Sequence, residues 1–354
     1  MSAAPVCSVP MTASITKDCV SSGDIPHFLQ YKPRRNSSVD FMVVIPSYNR
    51  PRRICEETLS LLQWHGVPLG KVHVFLNDSR QGDGDPQWKQ YHDAMVEFNM
   101  TQVHLHRGGA NLVQQMSTIF AWACDSYVVL MSDAVSDIHW KPISETSSTK
   151  LTSLPQGALQ LVIQHGYDLI KTGEFMAWSL AASHDGRFMT SRNITRKIGL
   201  LDGNLAGIMV NQFLTSMPMH PEDGLIYDVA LACLLWDSGY RFFRYQGMCC
   251  KHKYRSAGGQ ATLFPDKKDR RKAEDKCIKR LERTFPQLIK FHPSPSYSHK
   301  RMQYKFLRLG PDPLIMRVRG KGKLPTVKAK GLSNKERQAM WRLRQKEKRQ
   351  HTMS

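Results

Sequence analysis

The feature that most constrains this chain is an alternation of short apolar runs with amphipathic stretches across residues 41–143. The run Phe41-Met42-Val43-Val44-Ile45 has the length and β-branched content of a buried strand. It is expected to stop at Pro46, and Ser47-Tyr48-Asn49-Arg50-Pro51 reads as a turn at its carboxyl end. Residues 52–64 come next, with Ile54, Leu59, Leu61 and Leu62 at helical spacing. The pattern then repeats. Strands are expected over 72–76, 103–105 and 127–131, and helices over 85–98 and 111–124, with a turn at Gly108-Gly109. This order predicts an α/β fold, a mostly parallel sheet with helices on both faces. Ligands of such sheets bind just beyond the carboxyl ends of strands. The loop after the first strand, with its hydroxyl, amide and guanidinium, is therefore expected to face a ligand.

Further along, residues 159–165 read as helix and 187–199 as a polar, basic loop or edge. Residues 205–210 return to a strand. Residues 223–239 read as a helix stopped by Gly239, and Phe242, Phe243 and Tyr245 mark a late strand. Residues 251–262 read as a basic loop and 265–284 as a charged helix. Ser333-Asn334-Lys335-Glu336 has the capping-box pattern and opens a basic helix to about residue 349. The expected organisation is a flexible segment 1–38, a main domain 39–264, a basic helical extension 265–316, and a basic linker and helix 317–354.

Charge divides the chain. Residues 1–240 hold 18 Lys+Arg against 22 Asp+Glu, and residues 241–354 hold 32 against 8, within a total of +20. So basic an end attracts polyanions, of which nucleic acid is the commonest large one. A solvated basic tail, or an anionic membrane surface, is the other reading of the same charge. The carriers expected to touch nucleic acid are Arg337, Arg342, Arg344, Lys346, Lys348 and Arg349. Trp341 among them is read as a packing residue. No run of eighteen apolar residues occurs, so no membrane span is expected. Eight cysteines without a C-x-x-C pair predict free thiols in a reducing compartment.

Several residues could carry chemistry. Asp133 follows the 127–131 run, where a carboxylate can hold a divalent ion that neutralises a leaving diphosphate; it could equally cap a turn. Asp137 is a candidate second carboxylate. Asn77-Asp78 ends the second strand. Glu222-Asp223 opens the 223–239 helix, where the helix dipole alone favours acids. His252 could complete a metal site with Asp133 or simply stand exposed. Lys251, Lys253 and Arg255 could contact phosphates, and Gly258-Gly259 would let a ligand approach the backbone.

In order, Val43-Val44-Ile45-Pro46-Ser47-Tyr48-Asn49-Arg50, the strand-end Asp133, Glu222-Asp223 with its adjoining helix, and Ala257-Gly258-Gly259-Gln260 resemble the GT-A glycosyltransferases. The branch they resemble is that of the TET/JBP-associated, base J glucosyltransferase-like enzymes. Residues 176–180 and 196–200 resemble the acceptor-side stretch of that branch. The resemblance spans roughly residues 40–262. It implies a GT-A fold and transfer of a hexose, glucose from UDP-glucose, to 5-hydroxymethyluracil or 5-hydroxymethylcytosine in DNA. It further implies nucleotide contacts from Ser47, Asn49, Arg50 and Asp78, a Mn or Mg ion at Asp133, and a proton-accepting base at Glu222-Asp223, with Asp223 preferred. Ser132-Asp133-Ala134 departs from the D-x-D pattern of those enzymes. A transferase acting on protein, glycan or lipid, and a non-catalytic DNA-binding protein on a decayed transferase scaffold, remain the alternatives. Nuclear location is expected for a eukaryotic source, and a cytoplasmic or viral one otherwise.

Overall fold

The computed structural model describes residues 39–77, 86–142, 150–189, 194–252, 266–291 and 304–307. Asp78, Lys253, Arg255, the Gly258-Gly259 pair and the whole 317–354 tail lie outside the described residues.

The chain opens with strand β1 (Met42–Ser47) and helix α1 (Pro51–Ile54). A π-helical turn (Cys55–Leu59) runs directly into α2 (Ser60–Trp64). Then come β2 (Val72–Leu76), α3 (Pro86–Glu97), β3 (His104–Arg107), α4 (Leu112–Trp122), β4 (Tyr127–Met131), β5 (Val135–Trp140), β6 (Thr152–Ser153) and α5 (Ala158–Ile170). The second half holds β7 (Ala177–Leu180), β8 (Ile194–Thr195), β9 (Leu205–Met209), α6 (Gln212–Thr215) and a 3-10 turn (Pro221–Ile226). It continues through α7 (Tyr227–Asp237), β10 (Phe242–Tyr245), β11 (Met248–His252), α8 (Lys267–Thr284), β12 (Ile289–Phe291) and β13 (Tyr304–Phe306).

Eight strands form one sheet in the order β3-β2-β1-β4-β9-β7-β10-β8. The first four are mutually parallel. Strand β9 runs against β4, and β7 runs against β9, so β7 and its parallel neighbour β10 return to the direction of β1. Six strands therefore end at the same edge. Strands β11, β5 and β6 form a small antiparallel sheet.

Both faces of the central strands β1, β4, β9 and β7 are covered, which explains why they read as nearly continuous apolar runs. Along β1, Val43 and Ile45 enter one core with Ile54, Leu59 and Leu62 of the first helical segment and Leu159 and Ile163 of α5. Val44 enters the opposite core with Ile119 and Phe120 of α4 and Leu231 of α7. Each such buried side chain contributes about 1.5–3 kcal/mol. Helix α8 joins the second core through Cys277, Ile278 and Leu281. No described helix is long and apolar enough to cross a membrane. The six described cysteines are free thiols.

Four local readings change. Strand β1 passes through Pro46 to Ser47. Ser47 faces β2, since its carbonyl accepts from Asn77 N. Pro46 thus faces β4, whose pairing with β1 has already ended at Val44, and its missing N–H leaves no ladder bond unmade. Second, residues 135–140, around the candidate carboxylate Asp137, form strand β5, where the sequence reading assigned no element. Third, Lys251 and His252 are not in a loop: they end β11 and pair with β5. Fourth, the expected 223–239 helix is two elements. Glu222 and Asp223 sit in the 3-10 turn, and the α-helix begins only at Tyr227.

Candidate functional site

The common edge gathers the carboxyl ends of β1, β2, β3, β4, β7 and β10, and the start of the antiparallel β9. Between β3 and α4, Gly108-Gly109 is required by close approach: a Cβ on Gly109 would meet Gln114 at 2.4 Å, and one on Gly108 would meet the Leu76 carbonyl oxygen at 2.8 Å.

At the centre of the edge, Ser47 and Arg50 converge on Asp133. Ser47 Oγ donates to Asp133 Oδ2 at 2.7 Å, and Arg50 Nη1 to Oδ1 at 2.6 Å. Asp133 is 5% exposed. Tyr91 of α3 closes the circuit. Its hydroxyl lies 2.7 Å from Ser47 Oγ and accepts from the Arg50 backbone N–H at 2.9 Å. Because Ser47 spends its proton on Asp133, Tyr91 is the donor to Ser47. Burial, then the Asp133 charge, push the Tyr91 phenol up, so it keeps that proton. Asn49, at the exposed tip of the same loop, takes φ +59°, a left-handed conformation that asparagine tolerates better than most residues.

The loop bearing Asp133 is pinned from below. Thr58, fully buried in the π-helical turn, shares its proton between the Ser132 and Val135 carbonyls at 3.1 and 3.2 Å, and accepts from Val135 N at 3.2 Å. π-Helical turns are rare and concentrate at functional sites. From the other side, Ser132 N donates to Asn204 O at 3.0 Å, tying Asp133 to the start of β9.

That link brings in residues the sequence did not single out. Asp202 is 4% exposed, and its Oδ1 accepts from Asn204 N and Nδ2 at 3.3 and 2.7 Å. Its carboxyl is pushed up to about 7, by burial and by neighbouring Asp228 against the opposing Asn204 bonds. Asp228 is itself pushed up to about 6, chiefly by burial. At the end of β2, the buried Asn77 Oδ1 has no partner among the described residues. A buried acceptor without a donor is uncommon and is what a ligand N–H would satisfy.

The remaining predicted residues divide. His252 stands on β11 opposite Val135, with its proton affinity lowered by burial and by the charge of Arg53. Lys251, opposite Asp137, is exposed. Asp137 does not join Asp133. Its oxygens accept from Ile138 N, Ser153 Oγ and His139 Nε2. Among the described residues no three His, Cys, Asp or Glu side chains converge as a metal-binding group. Arg50 already neutralises Asp133, and its guanidinium at Oδ1 would repel a divalent ion there. The arrangement around Asp133 does not fit a bound ion.

Asp223 is 2% exposed and ion-paired with Arg280 of α8; its Oδ2 also accepts from His220 N at 3.2 Å. Glu222 is exposed and pairs with Lys276 at 2.7 Å, which lowers its pKa. Cys277 Sγ donates to the Glu222 carbonyl at 3.2 Å. In this arrangement Asp223 holds the 3-10 turn against α8, and its carboxylate is not open to an incoming hydroxyl.

No protein-family model and no curated protein matches the chain. Among solved structures, it is similar to the mannosyltransferase PcManGT from Pyrobaculum calidifontis, in complex with GDP-Man and Mn2+. The identity is 17% and the TM-score 0.40, over 61% of this chain and 58% of that one. The likeness spans less than two thirds of the mannosyltransferase, and at this level it identifies neither donor nor acceptor.

Proposed function

We propose that this protein transfers a hexose from a nucleotide-sugar, UDP-glucose in the first instance, to the hydroxymethyl group of a modified base in DNA. The observation that carries the reading is the convergence of Ser47 and Arg50 on Asp133, where six parallel strands end. Open α/β sheets bind their ligands at such an edge. The sequence resemblance gives the class of ligand. Arg50, held in place by Asp133, would turn guanidinium N–H groups toward a departing diphosphate, preorganised donors where negative charge develops. Asn77 Oδ1 offers an acceptor for a nucleobase N–H, beside Asn49 and Asp78 as the other nucleotide contacts. Lys251 and Arg255 supply further positive charge for phosphates.

The DNA acceptor is supported by charge: residues 241–354 hold four times as many basic as acidic side chains. Arg337, Arg342, Arg344, Lys346, Lys348 and Arg349 would give contacts to phosphates that do not depend on sequence. A base inside a duplex must leave the stack to be glycosylated. Such an enzyme would work in the nucleus of a eukaryote.

The test incubates the full chain with radiolabelled UDP-glucose and duplex DNA carrying 5-hydroxymethyluracil or 5-hydroxymethylcytosine, beside unmodified DNA, with Mn2+, with Mg2+ and with chelator. Label on modified DNA alone is the expected result. Label on neither DNA, with UDP-glucose bound, moves the acceptor to protein or glycan. Removing residues 317–354 separates these cases, because only the DNA acceptor loses salt-sensitive binding. Closure of Asp133 by Arg50 also suits a scaffold that binds without turnover, and DNA binding without any nucleotide-sugar binding would select that reading.

A further inference from the structure

Glycosyl transfer needs a receiver for the proton of the acceptor hydroxyl, and Asp223 is committed to Arg280. The same edge carries another candidate. Asp137 and His139, two apart on β5, share one face of the small sheet. Asp137 Oδ2 lies 2.9 Å from His139 Nε2, and His139 Nδ1 lies 2.9 Å from His184 Nε2. Asp137 is steadied by Ser153 Oγ at 2.7 Å and Ile138 N at 2.8 Å. His184 comes after β7, one of the six strands ending at this edge, and its ring is exposed.

One arrangement of protons along this chain leaves a basic nitrogen at its end. An ionised carboxylate only accepts, so His139 Nε2 carries the hydrogen. With one hydrogen on each ring, His139 accepts at Nδ1 and His184 donates from Nε2–H. The basic nitrogen of the chain is His184 Nδ1, at its exposed end. The charged and titratable groups around His184 are His139 and Asp137 on β5, Lys251 and His252 on β11, and the Asp185–Arg187 pair on its own segment. Burial, then His139, Lys251 and His252, lower its affinity for a proton, against an opposing hydrogen bond to its own backbone. In the sheet order β1-β4-β9-β7, the strand that leads to His184 lies three places from β1, roughly 14 Å at the usual strand spacing, a separation a diphosphate-hexose can bridge.

We propose that His184 is the proton acceptor for the incoming hydroxyl, with His139 and Asp137 as positioning residues; this rests on the transferase reading above. As the acceptor oxygen bonds to the anomeric carbon, its proton passes to His184 Nδ1. The bond from that carbon to the diphosphate oxygen breaks, and its electron pair leaves with the nucleoside diphosphate. Asp202, the other group suited to neutral pH, is nearly buried and has one oxygen committed to Asn204.

The experiment uses the full chain, UDP-glucose and duplex DNA containing 5-hydroxymethyluracil or 5-hydroxymethylcytosine. Donor binding is measured by calorimetry and transfer from pH 5 to 8. The wild type is expected to slow as pH falls and His184 gains its proton. His184→Gly should bind UDP-glucose as the wild type does, lose about 100-fold or more in kcat, lose the acid limb, and regain rate with free imidazole. Asp137→Asn, which no longer fixes the His139 tautomer, should lose about 10-fold in kcat and keep donor affinity. Unchanged transfer by His184→Gly overturns the proposal, as does an acid limb that survives there but vanishes in Asp202→Asn. Failure of the wild type to bind UDP-glucose sinks the transferase reading itself, and donor binding without transfer to either DNA overturns the DNA acceptor and, with it, this assignment of His184.

Discussion

Two buried aspartate–arginine pairs in this protein look alike as chemistry and differ in what surrounds them. Arg50–Asp133 lies where six strands end, with Ser47, Tyr91, Thr58 and Asn204 fixing every part of its loop. Arg280–Asp223 lies between a 3-10 turn and the flank of α8, and its other bonds close the turn on itself. Both aspartates are almost fully buried. Burial and pairing alone therefore do not mark a site. Position relative to the sheet does, because strand ends leave backbone and side chains facing a space that helices do not fill.

The comparison can be broken most directly at Asp223. Asp223→Ala leaves Arg280 beside a lost partner and should cost about 3–5 kcal/mol, read from urea unfolding, while the fraction still folded binds UDP-glucose normally. Loss of donor binding with little loss of stability would make the two pairs alike after all. Asp133→Asn should do the reverse. It keeps a side chain for Ser47 but removes the charge that fixes Arg50, and should reduce turnover about 100-fold with a smaller drop in melting temperature. Next in size is a pH effect beside Asp133. Because Asp202 has its carboxyl raised to about 7, its contribution to stability is complete below about pH 4, where the unfolded group is also protonated. That contribution is lost as pH rises toward 7. Asp202→Asn should flatten this decline, by on the order of 2–4 kcal/mol across the window, in denaturation curves at pH 4 and pH 7. The smallest effect is expected at the link between loop and helix. Tyr91→Phe removes one buried hydroxyl and should cost about 1 kcal/mol and a few-fold in turnover.

Much of the sheet was legible because its strands are buried on both faces. Residues 127–131 are an uninterrupted apolar run and 72–76 one broken only by His73, and their ends in the structure are those expected from sequence. Ser47, Arg50 and Asp133 were legible because they directly follow such runs. Strand β5 was not, since Ser136, Asp137 and His139 interrupt its apolar positions. Tyr91 and Asp202 come from elements far away in sequence, and only the fold brings them to the edge. Asp223 misled for a physical reason. An acid before an apolar helical stretch suits the helix dipole, and nothing local reveals that Arg280, 57 positions later, returns to meet it.

The π-helical turn under Asp133 sets a phase as well as a contact. Such a turn places one more residue in a helix than the α pattern holds, so every later residue of the helix is rotated by about 100°. Deleting a single residue from Cys55–Leu59 would restore a regular helix and improve it as a helix. It would also swing Leu61 and Leu62 out of the core and carry the Thr58 hydroxyl away from Ser132 and Val135. The ligand edge thus depends on an insertion that helix propensity alone would remove, and shortening this helix by one residue should damage the site more than many side-chain changes within it.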